Sequence, residues 1–249
     1  MESATQVTKS VSVIVPTLNE AENVEPLVRR IFASGLDILE ILFVDDGSTD
    51  GTAERICGLT AQFPIKLLVR ENPTLGLSGA VVAGARAARG DLLVVMDADL
   101  SHPPNRIPDL VRPLQQGACD MVIGSRYAAG GTTPGWPLWR KIMSRAASAL
   151  AYPLTRVHDS MCGFFAIPRP LLLDLAPAAS GFKIAFDVIV RGGRSFRVRE
   201  VPIAFQDRVR GASKMSIRVA FIFFLRWLAA IVRPRPERVS TAAAREEVR

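Results

Sequence analysis

Leu92-Leu93-Val94-Val95-Met96-Asp97-Ala98-Asp99 is the stretch on which the fold turns. Its five apolar residues in a row read as a buried strand, and two acids one residue apart follow at the carboxyl end. In extended chain, side chains two apart point the same way. Asp97 and Asp99 are therefore expected to reach one divalent cation at a sheet edge. Hard carboxylate oxygens suit Mg2+ or Mn2+, which fill their remaining positions with water and phosphate oxygens. An acid pair that merely caps a loop has the same spelling, so the surrounding motifs have to decide.

Working outward, Val11 to Val15, Glu40 to Val44, Lys66 to Val69 and Met121 to Ser125 are further short apolar strands. Helical segments separate them: one to about Ala33, opened by Asn19 and Glu22 at capping-box spacing, one over Thr52 to Gln62, and an Ala-rich one from Gly76 to near Gly90. Strand and helix alternating every 25 residues or so predict an α/β fold with a mostly parallel sheet flanked by helices. Ligands of such sheets sit beyond the carboxyl ends of the strands. Pro16 to Glu20, Asp45-Asp46, Asp97/Asp99 and Arg126 all fall there. After Arg126 the alternation stops: a Gly- and Pro-rich crossing leads to a helix over Arg140 to Ala151, with later strands near Phe196 to Pro202.

Composition narrows the chemistry. With 249 residues, 49% apolar and 22% charged, the chain is globular and buries a full core. A net charge of +7 and a pI near 9.9 favour anionic partners, or else a solvated basic surface. Cys57, Cys119 and Cys162 are odd in number, widely spaced and without histidine companions, which fits a reducing cytosol and neither a disulfide framework nor zinc. Met1 to Lys9 is polar, with no signal-peptide core, and is read as a flexible N-terminus. Ile217 to Val232 is apolar with basic flanks and too short for a comfortable span, leaving a buried terminal helix or one lying at a membrane interface. The tail from Pro234 to Arg249 is expected to be disordered.

Several constellations keep two readings. Asp45-Asp46-Gly47-Ser48 is either an ordinary turn or a carboxylate site for a base or ribose. His102 either supports the acid pair from behind or packs in the core. Arg126, Arg140, Lys183, Arg208 and Lys214 stand in or beside loops, which suits phosphate recognition as well as a solvated face. No aromatic ladder accompanies them, so nucleic-acid binding is a weak reading. A dehydrogenase would need Gly-x-Gly-x-x-Gly after the first strand, where Pro16-Thr17-Leu18-Asn19-Glu20 stands. A phosphohydrolase would place its Asp-x-Asp near the start of the chain, not on a fourth strand.

Taken in order, the motifs resemble the family 2 glycosyltransferases of GT-A fold, closest to dolichyl- or polyprenyl-phosphate mannose synthases. The likeness spans Ser10 to Lys214 and rests on Val15-Pro16-Thr17-Leu18-Asn19-Glu20, Val44-Asp45-Asp46-Gly47-Ser48, Gly76-Leu77-Ser78, Asp97 to Pro104 and Gly124-Ser125-Arg126-Tyr127. It continues through Trp136-Pro137-Leu138-Trp139-Arg140-Lys141, Cys162-Gly163-Phe164-Phe165, Gly181-Phe182-Lys183 and Arg208 to Lys214.

The resemblance implies a catalytic domain over residues 10–214; beyond it, the residues themselves read as an amphipathic membrane-interface helix over 215–233 and a disordered basic tail over 234–249. It implies that Pro16, Leu18, Glu20, Val44 and Asp46 hold a guanosine moiety, with Ala98 also on the donor side. Asp97, Asp99 and Ser101 would surround Mg2+ or Mn2+; Lys183, Arg208 and Lys214 would grip the donor diphosphate; Arg126 and Arg140, near Ser144, would meet an acceptor phosphate. The expected reaction is inverting transfer of mannose from GDP-mannose to polyprenyl or dolichyl monophosphate by a protein peripheral on the cytoplasmic membrane face. The alternative is a UDP-sugar donor of glucose or an aminosugar.

Overall fold

The computed structural model describes residues 9–71, 73–176 and 183–206. Arg208, Lys214, the 215–233 helix and the tail lie outside the described residues. The strands are β1 (Val11–Thr17), β2 (Glu40–Asp45), β3 (Ile65–Val69), β4 (Leu92–Val95), β5 (Met121–Ser125), β6 (Phe165–Pro168) and β7 (Val198–Pro202). The helices are α1 (Ala21–Phe32), α2 (Thr52–Leu59), α3 (Gly76–Ala87), α4 (Ile107–Gln115), α5 (Leu138–Thr155), α6 (Arg169–Leu175) and α7 (Ile184–Gly192).

One sheet runs in the order β3-β2-β1-β4-β6-β5-β7. Every pairing is parallel except those of β6, which is antiparallel to both β4 and β5. The expected α/β fold and mostly parallel sheet are therefore present. The central strands are buried at every position but Pro16, and parallel strands covered on both faces read as largely apolar runs. Helix α3 presses close to that sheet because Gly84 has no side chain: a Cβ there would lie 2.7 Å from Ile14 Cγ2 and 3.0 Å from Val44 Cγ2.

Reversal of β6 has a consequence for function. β1, β2, β3, β4, β5 and β7 all end at one edge of the sheet, whereas β6 begins there. The segment just before β6, Asp159 to Phe164, and the one just after β7, Ile203 to Gln206, join the strand ends that the sequence pattern singles out.

Three local expectations change. Asn19 does not cap α1. It takes a left-handed conformation (φ 59°), Glu20 occupies the N-cap without a side-chain bond, and Asp50 Oδ2, from the neighbouring loop, accepts the Ala21 N–H at 3.0 Å. A short polar side chain tolerates left-handed backbone, so Asn19 serves better in the turn, where its Oδ1 accepts Thr49 N–H at 2.9 Å. β4 stops at Val95, and α5 extends beyond both limits read from the sequence.

Candidate active site

Past β4 the chain turns sharply rather than staying extended, with Leu100 at φ 62°. Strand parity therefore does not relate the two acids; the turn does. Asp97 keeps its carboxylate about one-third exposed (35%), whereas Asp99 is 3% exposed and its Oδ1 accepts the Ser101 N–H at 3.0 Å. His102 braces the turn from beneath. Its Nδ1 accepts the Asp97 N–H at 3.0 Å, and its ring stacks on Phe164 with centroids 5.2 Å apart. Burial holds the imidazole below its ordinary pKa despite the pull of Asp97 and Asp99, so it sits neutral, with Nδ1 as acceptor. Gly163 leaves room for the acids, since a Cβ there would lie 3.3 Å from Asp97 Oδ1 and 3.4 Å from His102 Cε1.

The residues expected to hold a divalent ion fit one. Ser101 Oγ is buried without a hydrogen-bond partner among the described residues, beside two hard carboxylates. No group of three or more His, Cys, Asp or Glu converges among the described residues, so those residues supply few ligands. Mg2+ habitually accepts such a site, taking its remaining oxygens from substrate phosphates and water.

A cationic cluster adjoins this turn. Arg126, next after β5, forms a bidentate pair with the wholly buried Asp159: Nε donates to Oδ2 at 2.8 Å and Nη2 to Oδ1 at 2.7 Å, while the Arg126 backbone N–H also reaches Oδ2 at 2.8 Å. Burial would lower the Arg126 pKa, but the bonds to Asp159 outweigh it and keep the guanidinium charged. The Arg126 guanidinium lies 5.3 Å from the Tyr127 ring and 5.4 Å from both Trp136 and Phe205. Arg140 stacks on Trp136 at 4.0 Å. Phe205 also packs edge-on against His102, centroids 5.4 Å apart, and so links the acid turn to the arginines. Lys183, at the N-cap of α7, donates to Met161 O at 3.3 Å. Burial and then the charge of Arg126 hold its pKa down, with Asp159, Cys162 and Asp97 pulling the other way. All these groups feel one another.

On the other flank, Asp46 is gripped by Arg70: Nε to Oδ1 at 2.6 Å and Nη2 to Oδ2 at 2.7 Å. Asp45 is the turn acid, buried and accepting N–H bonds from Gly47 and Ser48 at 3.1 and 2.8 Å. Glu20 accepts from Asn23 Nδ2 at 2.7 Å, and Leu18 is exposed at the rim. Pro16, next to last in β1, stands beside Val44 in register, but the Val44 side chain is core, and Ala98 is buried between the two acids.

The structure thus brings Asp97, Asp99, Ser101, Arg126, Arg140 and Lys183 to one edge, with Leu18, Glu20 and Asp46 beside them. Arg208 and Lys214 fall outside the described residues. Sequence reading missed Asp159, Arg70 and Phe205. Arg70 stands at the end of β3 and obeys the strand-end rule already applied to its neighbours. No sequence signal marks Asp159, whose role depends on the reversed β6.

Comparison with known proteins agrees with this geometry. Residues 12–175 match the family model described as glycosyl transferase family 2. A dolichol-phosphate mannosyltransferase of Pyrococcus furiosus is 42% identical over 217 residues, 85% of this chain and 60% of that protein's length, so the chain spans less than two-thirds of that relative. One of Mycosarcoma maydis, with the same name, is 42% identical over 88% of this chain and 78% of its own. Among solved structures, glucosyl-3-phosphoglycerate synthase from Mycobacterium tuberculosis in complex with Mn2+, UDP-glucose and phosphoglyceric acid shares the fold. Its TM-score is 0.68 at 21% identity, covering 91% of this chain and 80% of that one. With its GT-A sheet, its strand-end acids and a family model covering most of the chain, this protein belongs to the family 2 glycosyltransferases.

Proposed function

We propose that this glycosyltransferase moves mannose from GDP-mannose to a dolichyl or polyprenyl monophosphate, with inversion, at the cytoplasmic face of a membrane. The observation that carries the reading is the adjacency of two sites of opposite charge: the Asp97/Asp99 turn, suited to a cation, and the Arg126–Arg140 cluster, suited to an anion, joined through Phe205. The names of the relatives support the sugar and the lipid acceptor.

Each group then has a task. Asp97, Asp99 and Ser101 would hold Mg2+ or Mn2+, which when bound supplies a Lewis acid against the charge of a leaving diphosphate. Arg70 fixes Asp46 beside Leu18 and Glu20, where a nucleoside would rest. Arg140, stacked on Trp136, and Arg126, held by Asp159, present positive charge to an acceptor phosphate. That phosphate is anionic near neutral pH, so its oxygen attacks without a strong base, and catalysis rests on in-line positioning. Lys183, whose pKa burial lowers and whose Nζ donates to Met161 O, would serve as a further phosphate partner.

Incubating the protein with labelled GDP-mannose, UDP-glucose and UDP-N-acetylglucosamine, each with polyprenyl phosphate and with or without chelator, tests the reading. Lipid-linked label from GDP-mannose alone, abolished by EDTA, is expected. Preferential transfer from a UDP-sugar overturns the donor assignment, and chelator-resistant transfer overturns the metal role.

A further inference from the structure

Glu200 is an acid in the middle of β7, beside Ile123 of β5 in register, and strands are depleted of acids. Its side chain is 16% exposed and faces the segment that precedes β6. Oε1 accepts the Asp159 N–H at 3.1 Å and Oε2 the His158 N–H at 3.0 Å. Asp159 is wholly buried and lies outside the β6 ladder, so its N–H needs a partner that no neighbouring strand supplies. Oε2 also lies 2.7 Å from His158 Nδ1, and the His158 ring tilts against Tyr152 in the last turn of α5, centroids 5.1 Å apart. Asp159 in turn gives both carboxylate oxygens to Arg126. Those bonds never touch Glu200, yet all of them depend on where Glu200 sets the Asp159 backbone.

We infer that Glu200 is a positioning residue for the acceptor end of the reaction, aiming Arg126 through Asp159. The inference rests on the proposed acceptor site and names what holds its cation in place. A carboxyl serves here where an amide does not. Two N–H donors approach one side chain, and a carboxylate presents an acceptor on each oxygen, whereas Gln turns a donor toward one of them. A buried N–H left without its acceptor is costly, so the segment relaxes and Asp159 moves with it. Positioning catalysis tolerates little displacement of the groups that hold the nucleophile.

The test pairs steady-state kinetics, using labelled GDP-mannose and a short, water-soluble isoprenyl phosphate, with amide hydrogen exchange on the substrate-free protein. Glu200→Gln should raise the apparent KM for the isoprenyl phosphate ~5–10-fold and leave that for GDP-mannose within about two-fold. Added to Asp159→Asn, it should raise the acceptor KM no further, because both act through one fork. The Arg126 amide, which does not touch Glu200, should lose protection together with that of Asp159, while the Val13 and Ile14 amides of β1 keep theirs. Equal rises in both KM values, additive effects in the double variant, or unchanged protection at Arg126 each overturn the inference. So does a loss of protection that extends to β1, which would mean general destabilisation. Lost protection at Arg126 with an unchanged acceptor KM upholds the tie and removes Arg126 from the acceptor site, so failure of the proposed reaction reads differently. A measurement on the unaltered chain needs no variant to fold: in rising, sub-denaturing urea the Arg126 and Asp159 amides should exchange through a single opening. Separate openings overturn the inference.

Discussion

At the scale of single residues, the two acids beyond β4 are unequal. Asp97 shows its carboxylate to solvent, whereas Asp99 is packed inside the turn and bonded to the Ser101 N–H. Replacing Asp99 with Ala should therefore lower transfer by at least ~100-fold, as loss of a principal electrostatic stabiliser does. Circular dichroism and the melting temperature should stay close to wild type; turnover within a few-fold of normal would remove Asp99 from the metal site. Asp159 acts at the same scale through Arg126. Its removal by Asp159→Ala strands a guanidinium that is 11% exposed, and uncovering one partner of a buried pair costs about 3–5 kcal/mol. Urea unfolding should report that loss, and the apparent KM for the lipid acceptor should rise more than that for the donor. Arg70→Lys keeps charge but loses the fork on Asp46, so it should raise the donor KM several-fold with little change in kcat. A raised acceptor KM instead would misplace Asp46.

Elements explain why those side chains meet. The sheet interior admits α3 only because Gly84 is bare, and Gly84→Val should cost ~1–3 kcal/mol by overpacking Ile14 and Val44, read as a shift in the denaturation midpoint. Strand β6 enters between β4 and β5 in the opposite sense, and its start delivers Asp159 and Gly163 to the edge where its neighbours end. Periodicity in a four-residue run, Phe165 to Pro168, says nothing about direction. Helix α5 shows the converse: its length was partly visible in the sequence, but which face met the protein was not. An apolar stripe is ordinarily assigned to the core, and here Ser148, Ala151 and Thr155 take that place.

For the whole molecule, polar groups gather at both edges of the sheet for different reasons. Opposite the active edge, Glu40 is 1% exposed and accepts from Ser12 Oγ at 2.9 Å, Arg89 N–H at 2.7 Å and Lys66 Nζ at 3.0 Å. Burial alone would raise its pKa, but the bonds from Arg89, Lys66 and Ser12 outweigh it and hold it below the ordinary value. A carboxyl whose folded pKa is depressed stabilises the protein above its unfolded pKa and loses that contribution as pH falls through the folded one. Glu40→Gln should therefore lower stability at neutral pH, with the gap to wild type closing below about pH 4.5, while specific activity at neutral pH stays unchanged. A gap independent of pH would mean that the carboxylate charge is irrelevant.

The sequence by itself determined the alternation of strand and helix, the carboxyl-end positions of Asp46, Asp97, Asp99 and Arg126, and the shortage of histidine that suits positioning over proton transfer. Those properties are local, written in apolar runs and the residues that end them. Only the tertiary structure decided that Asp159 holds Arg126, that Arg70 holds Asp46, that Phe205 joins the two charge sites and that α5 faces outward. Each depends on the direction of a strand or the choice of a helix face, and long-range packing makes those choices.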